Sequence, residues 1–539
     1  MNKLFVTVFI ITSFISFGSC VDIKIDLSAF DPQDNEYSVF KKYYNLTDRF
    51  TKINITNIRD DVGFFIIQVH TYVENVTLSS TTKLNLGSYV IGTNIGLVWD
   101  SDNNTALFYL SRNIKVEQSL QILLVISLYD EDDPVPGGCN LSFETDVAPY
   151  QLTEYNDDVI IVKSQPPSIQ GAPNCDDKKV QVDMYHLYLY EYDNTVETYF
   201  KNLEKMLTVK DILKNGRQVP DIGINKKYNR MYSSYRGTGE VFAVVSKYKN
   251  STSAYVPTVS YGCDLLKWQE SCLAPVEIHW KFFCACLLIF GLFICFFGHR
   301  FFKLTLYIIS FSFGLTVTYL VISMEEHYSF TERTITAFTV GFFYGIIWLL
   351  IWRRFGIPVL TVTLAFIMSG FLAASLLFNT VLADIYVLTN SVNFWLSFMS
   401  VILLCIIISL PLMLIGHISA IAFLGAYGCV AALSFYVGGN MPYILINTYR
   451  RVAVKDFNTA VIDFPMQMID IVQALLWLLL LLFGVFIQLR HQIGKPPFPP
   501  NRNVILAESR VSETTPLLYH DIFAPPSPPP SYNPYYTTY

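Results

Sequence analysis

The chain has 539 residues, of which 52% are hydrophobic and only 15% are charged. Soluble proteins carry roughly 25% charged residues, so this composition excludes an ordinary soluble globule and points to a membrane. The formal net charge of −6 has no basic excess, which speaks against nucleic acid as a partner.

The chain begins MNKLFVTVFIITSFISFGSC. Lys3 gives a short positive region, Leu4 to Phe17 an apolar stretch, and Gly18-Ser19-Cys20 the small residues that a signal peptidase accepts. This is the pattern of a secretory signal peptide over residues 1–20.

Residues 21–275 have the composition of a soluble domain and hold the glycosylation acceptors Asn45, Asn54, Asn75, Asn103, Asn140 and Asn250. Each is followed two residues later by Ser or Thr, and no such triplet occurs after Asn250. Acceptors crowded on one side of a boundary place that side in a lumen or outside the cell. Cys139, Cys175, Cys263 and Cys272 form an even set in that oxidising compartment, so two disulfides are expected. Three connectivities satisfy the count. Cys284, Cys286, Cys295, Cys405 and Cys429 lie in apolar runs and read as packing residues.

Within this segment "GFFIIQVHTYVENVTL", "IGLVWD", "ALFYLS", "LQILLVISLY" and "VFAVVSKY" read as strands, rich in β-branched and aromatic residues. Asp100 to Asn104 is a polar turn, so the strands flanking it are expected to form a hairpin. Between Thr195 and Thr208, Val196, Phe200, Leu203 and Leu207 fall at helical intervals. The expectation is a mostly-β, sandwich-like ectodomain in two halves, with a break at the Pro- and Gly-rich stretch 164–175. Two acidic clusters, Asp130-Glu131-Asp132-Asp133 and Asp157-Asp158, invite a metal reading. The stretch "YDEDDPVPGGCN" has the acids and Gly137-Gly138 but lacks the alternating spacing of a calcium loop, so it reads as a solvated turn, with calcium as the alternative.

Seven apolar runs follow at about 281–298, 304–323, 334–352, 357–378, 394–415, 418–437 and 467–488, each near the roughly 20 residues that cross a bilayer. The fold class is thus an α-helical seven-span membrane bundle (281–488) preceded by a mostly-β lumenal or extracellular domain. With the N-terminal domain outside, an odd number of spans puts the tail, 489–539, in the cytosol. Arg300, Lys303, Arg353, Arg354, Arg490 and Lys495 fall inside as expected, whereas Arg450, Arg451 and Lys455 fall outside. The loop carrying them, "YILINTYRRVAVKDFNTAVIDF", reads as an amphipathic helix on the membrane surface or capping the bundle. Ionisable residues are scarce in the spans. His299, His417 and Asp470 fall at span ends, where water is expected to reach them. Pairs of small residues, Gly341 with Gly345, Ala422 with Ala426 and Gly428 with Ala432, mark close helix packing within one bundle, with a homodimer face as the alternative.

With this order of elements the chain resembles the transmembrane 7 superfamily member 3 family. The resemblance is carried by "DPVPGGCN" (Asp133–Asn140), "FICFFGHRF" (Phe293–Phe301), "WRRFGI" (Trp352–Ile357) and "YILIN…VAVKDF" before the last span. It implies a membrane glycoprotein associated with cell survival and with restraint of ER stress and the unfolded protein response. It brings no reaction, ligand or cofactor, and the similarity of the membrane domain to transmembrane protein 198 supplies no catalytic residues.

Three rivals lose on residues. A G-protein-coupled receptor would carry an acid-arginine-aromatic triplet where this chain has Trp352-Arg353-Arg354-Phe355, and the last span has no Asn-Pro-x-x-Tyr. An intramembrane hydrolase needs His and carboxylate ligands for zinc that the spans lack. A channel or transporter would use inward charges, although Pro358 and Pro411 could break helices near a binding site. The reading is therefore a non-enzymatic membrane glycoprotein, without cofactor or metal, working through an unidentified ectodomain partner and membrane lipid. Plasma membrane and endolysosomal membranes are its expected location after the ER.

The Pro- and Tyr-rich tail reads as disordered and as the trafficking element. Glu513 with Leu517-Leu518 is an acidic dileucine, within the family-like "TPLL", and Tyr519 with Ile522 is a tyrosine-based signal; both suit clathrin adaptors. Pro529, Pro530 and Tyr532 make the "PPSY" that fits WW domains, as in Nedd4-like ubiquitin ligases. Asn533, Pro534 and Tyr536 in "NPYY" match the turn bound by phosphotyrosine-binding domains.

Overall fold

The computed structural model describes residues 21–31, 38–85, 87–100, 104–112, 119–169, 175, 180–221, 228–273, 278–325 and 327–493. The signal peptide, Asn103 and every tail motif lie outside the described residues.

Two β-sandwiches make up the ectodomain. In the first, one sheet runs β1 (Val21–Asp26), β3 (Phe50–Thr56), β8 (Thr105–Arg112), β5 (Val76–Ser79), β6 (Tyr89–Gly92). The facing sheet runs β2 (Val39–Leu46), β9 (Leu120–Tyr129), β4 (Phe64–Thr71), β7 (Asn94–Asp100). In the second sandwich β10 (Leu152–Tyr155), β11 (Val159–Lys163) and β14 (Asn229–Ser233) form one sheet. They face β13 (Arg217–Gln218), β12 (Gln181–Glu191), β15 (Thr238–Tyr248) and β16 (Ser251–Ala254), with β17 (Thr258–Ser260) also on β15.

Helices α1 (Val196–Glu204) and α2 (Val209–Asn215) lie between the sandwiches. Thr195 caps α1, its hydroxyl accepting from the Thr198 N–H at 3.3 Å. Phe200 and Leu203 of α1 pack on Tyr185, Val241 and Ala243 of the second sandwich and on Leu123 and Val125 of β9. Ile122, Leu124 and Ile126 point the other way, into the first sandwich core. This explains why "LQILLVISLY" shows no polar alternation: both faces of β9 are buried.

Two sequence expectations fail here. The hairpin across Asp100–Asn104 is not formed, because β7 closes one sheet while β8 lies inside the other. Strands β7 and β8, consecutive in the chain, thus belong to different sheets, as in Greek-key sandwiches. The chain also passes from the first sandwich to the second between β9 and β10, earlier than 164–175. Residues 164–169 already follow β11 of the second sandwich, so Pro166 and Pro167 do not mark a domain boundary.

Among the described residues seven long helices follow: α3 (Ile278–Phe297), α4 (Phe302–Ser323), α5 (Phe330–Phe355), α6 (Pro358–Asn379), α7 (Ser391–Ser409), α8 (Met413–Val437) and α10 (Met468–Gln492). A short α9 (Tyr443–Ala453) precedes the last. The fifth span stops at Ser409 rather than 415, because Pro411 cannot continue a helix. Pro358 is the first residue of α6, where its missing N–H costs no hydrogen bond. Neither proline breaks a helix in mid-membrane.

Helix α8 is the hub, packed by α3, α6 and α10. A Cβ on Gly425 would lie 2.7 Å from the Cys295 backbone nitrogen, so α3 and α8 touch backbone to backbone. A Cβ on Gly341 would meet the Phe311 carbonyl at 2.9 Å, which locks α5 to α4. Ala422, Ala426 and Ala432 are buried inside the bundle. These small residues are spent on packing within one chain.

Candidate functional site

The ectodomain sits on the loop between α8 and α10, and the contact begins with the backbone. Val461 lies parallel to β14: its N–H donates to the Met231 carbonyl at 2.8 Å, and Ser233 N–H donates to the Val461 carbonyl at 3.0 Å. The Val461 side chain enters the core of the second sandwich with Ile160, Val162, Tyr232 and Phe242. A membrane-domain loop thus supplies an edge residue to an ectodomain sheet, the pairing by which extended peptides extend a sheet.

Beside this strand lies a buried charge cluster. His186 of β12 is 2% exposed and stands between two carboxylates. Its Nδ1 is 2.5 Å from Glu240 Oε1 of β15, and its Nε2 is 3.3 Å from Asp463 Oδ2. Arg217 pairs with the other oxygen of Asp463 and reaches Asp384, after α6, at 3.3 Å. The Tyr188 hydroxyl donates to the Asp463 carbonyl at 2.8 Å. Burial alone would pull the His186 pKa down, but the hydrogen bonds to Asp463 and Glu240, with their charges, raise it to about 9. Burial pushes the Glu240 carboxyl up, against the lowering effect of His186. His186 and Arg217 thus face Glu240 and Asp463, with Asp384 as a third, more exposed carboxylate on Arg217.

A second anchor is Arg450 of α9, 5% exposed. Its Nε is 3.0 Å from Asp158, its Nη1 donates to the Ser234 carbonyl at 2.8 Å, and its Nη2 donates to the Asp157 carbonyl at 2.8 Å. Asp157 in turn pairs with Arg236 at 2.5 Å. The Asp157-Asp158 pair is therefore a docking element held by arginines. Asn447, one turn before Arg450, accepts from the Ser233 hydroxyl at 2.7 Å. The loop helix thus caps the bundle beneath the ectodomain.

The junction continues into the helix ends. Gln467 caps α10, and its side chain accepts from Glu191 N–H at 2.7 Å and donates to the Leu189 carbonyl at 2.9 Å. Asp470 is fully buried, accepting from Asn440 N–H at 2.6 Å and Gln467 N–H at 3.1 Å. The expectation that water reaches Asp470 fails, because the α8–α10 loop closes over it. His299 and His417, at the far end of the bundle, are likewise buried, 8% and 2% exposed. His299 Nε2 meets Gln492 Oε1 at 2.6 Å.

Of the acceptors, Asn45, Asn75 and Asn250 are exposed, and Asn54 and Asn140 are half-buried. The Asn140 amide closes a turn, its oxygen accepting from Phe143 N–H at 2.9 Å. The disulfides pair Cys139 with Cys175 and Cys263 with Cys272. In the acidic loop, Asp133 accepts from Asp130 N–H at 3.0 Å, and burial raises its pKa to about 6. Among the described residues no group of three or more His, Cys, Asp or Glu side chains is placed to hold a metal ion.

Three family models match the chain: the TM7SF3-like N-terminal immunoglobulin-like domain at residues 35–129, the TM7SF3-like second immunoglobulin-like domain at 134–266, and the TM7S3/TM198-like domain at 284–489. The chain is 30% identical over 510 residues to transmembrane 7 superfamily member 3 of Homo sapiens, covering 91% of this chain and 89% of that protein. It is also 30% identical to the protein of that name from Rattus norvegicus, covering 91% and 90%. The sandwiches match the two immunoglobulin-like models, and the bundle matches the third.

Proposed function

Because the chain belongs to the transmembrane 7 superfamily member 3 family, we propose that it is a non-enzymatic membrane glycoprotein that acts through protein partners to restrain ER stress. The observation that carries this reading is the junction. Val461, His186, Asp463 and Arg450 join the second sandwich to α9 and α10, so a partner held by the ectodomain bears directly on the helices. A rigid coupling of this kind is what an adaptor or a receptor-like protein uses, and the receptor-like alternative draws on the same feature. The tail signals at Leu517-Leu518, Tyr519 and "PPSY" suit recruitment of clathrin adaptors and WW-domain ligases once the tail faces the cytosol.

The test is deletion of the gene followed by tunicamycin. Stronger induction of the unfolded protein response, rescued by the intact chain but not by Arg450→Ala, supports the proposal. An unchanged response contradicts the stress role. Ligand-dependent nucleotide exchange on a G protein would favour the receptor-like alternative.

A further inference from the structure

At the end of the bundle opposite the ectodomain, residues of α8 and α10 line a groove of about 610 Å³. Leu414, Ile415, Phe486 and Leu489 line it, and Arg490 and Gln492 stand at its rim. Its lining on α10 runs from Phe486 to Ile493, roughly 10 Å at about 1.5 Å per residue, which matches the headgroup-proximal half of one acyl chain. Ile415 and Phe486 are 48% and 59% exposed, a wall that the other described helices leave uncovered.

Charge says what kind of lipid fits. Arg300, Lys303, Arg353, Arg354 and Arg490 gather at this end, and among the described residues no Asp or Glu lies there. The acidic residues of the membrane domain, Glu325, Glu332, Asp384, Asp456, Asp463 and Asp470, all stand at the ectodomain end. Gln492 ties the rim to His299, which precedes Arg300 in sequence. A phosphate at the rim would meet Arg490 and, among the described residues, no carboxylate.

We propose that this groove binds one anionic phospholipid, with an acyl chain between α8 and α10 and its phosphate at Arg490. Basic residues on a membrane face draw anionic lipids in this way. A neutral lipid would fill the same wall without the headgroup contact, so Arg490 confers the preference.

The test uses the full-length protein in phosphatidylcholine nanodiscs doped with phosphatidylserine bearing a photoreactive acyl chain. Adducts mapped by mass spectrometry are expected on Ile415, Phe486 and their neighbours. Arg490→Gln should lower the phosphatidylserine yield there roughly five-fold, the contribution of one basic residue beside a charged lipid surface. The yield from a matched phosphatidylcholine probe should stay unchanged. Ile415→Trp, which fills the groove, should lower both yields, while adducts on α5 report that the bundle remains folded. Even labelling of α5, α7 and the groove overturns the proposal, as does an unchanged phosphatidylserine yield in Arg490→Gln.

Discussion

Each sandwich of the ectodomain buries a histidine, and the pKa values of the two are moved in opposite directions. His70 in β4 faces the amides of Asn94 at 2.9 Å and Gln68 at 3.1 Å, and burial lowers its pKa to about 4. His186 in β12 faces two carboxylates, which override burial and raise its pKa to about 9. Burial is nearly equal at the two sites, so partner chemistry decides. One carboxylate, Asp463, comes from the membrane domain. The first sandwich is finished within the ectodomain, whereas the second is completed, in both core and charge, by the α8–α10 loop.

The harshest way to break this contrast is to spoil the shared core. Val461→Asp would put a carboxylate among Tyr232, Phe242 and Val162, at a cost of several kcal/mol. Limited proteolysis should then cut the second sandwich while the first stays resistant. Arg450→Ala leaves the half-exposed Asp158 and the buried Ser234 carbonyl without this partner, and thermal unfolding of the intact protein should show a loss of about 1–3 kcal/mol. Arg450→Lys should recover little, since one ammonium cannot replace the fork.

The two histidines predict opposite pH responses. The folded pKa of His186 lies above its unfolded value near 6.5. Its contribution is therefore full below 6.5 and is lost as pH rises through about 9, a change of roughly 3 kcal/mol. The folded pKa of His70 lies below its unfolded value, so its contribution is full above 6.5 and is lost as pH falls to about 4, by a similar amount. His186→Asn should flatten the alkaline arm of a denaturation series and His70→Gln the acid arm. The smallest effect belongs to Tyr188→Phe, which removes one hydrogen bond to the Asp463 carbonyl and should cost about 1 kcal/mol.

Much of this architecture is legible in the sequence. Local patterns found the seven spans, the α1 helix and the more apolar strands, β4, β5, β7, β8, β9 and β15, because apolar length and periodicity report burial directly, and they missed the other strands. They did not report which sheet a strand joins, so β7 and β8 looked like a hairpin. Nor did they reveal the junction, whose residues lie far apart in the chain: His186, Glu240 and Asp463. One signal was present. Arg450 and Arg451 sit on the wrong side for the charge rule, and the structure gives each an occupation. Arg450 holds Asp158, and Arg451 lies 3.7 Å from the centre of the Phe394 ring and donates to the Leu388 carbonyl. The Asp157-Asp158 pair, which suggested a metal or a solvated turn, is the complementary half of that signal.

The central claim is that the second sandwich and the α8–α10 loop form one cooperative unit, and amide hydrogen exchange on the intact protein tests it most directly. The amides of Ser233 and Val461 bond across the junction and should be protected together. In Asp463→Asn both should lose protection by a similar factor, while β4 and β9 of the first sandwich keep theirs. Free exchange at Val461 while Ser233 stays protected would contradict the claim.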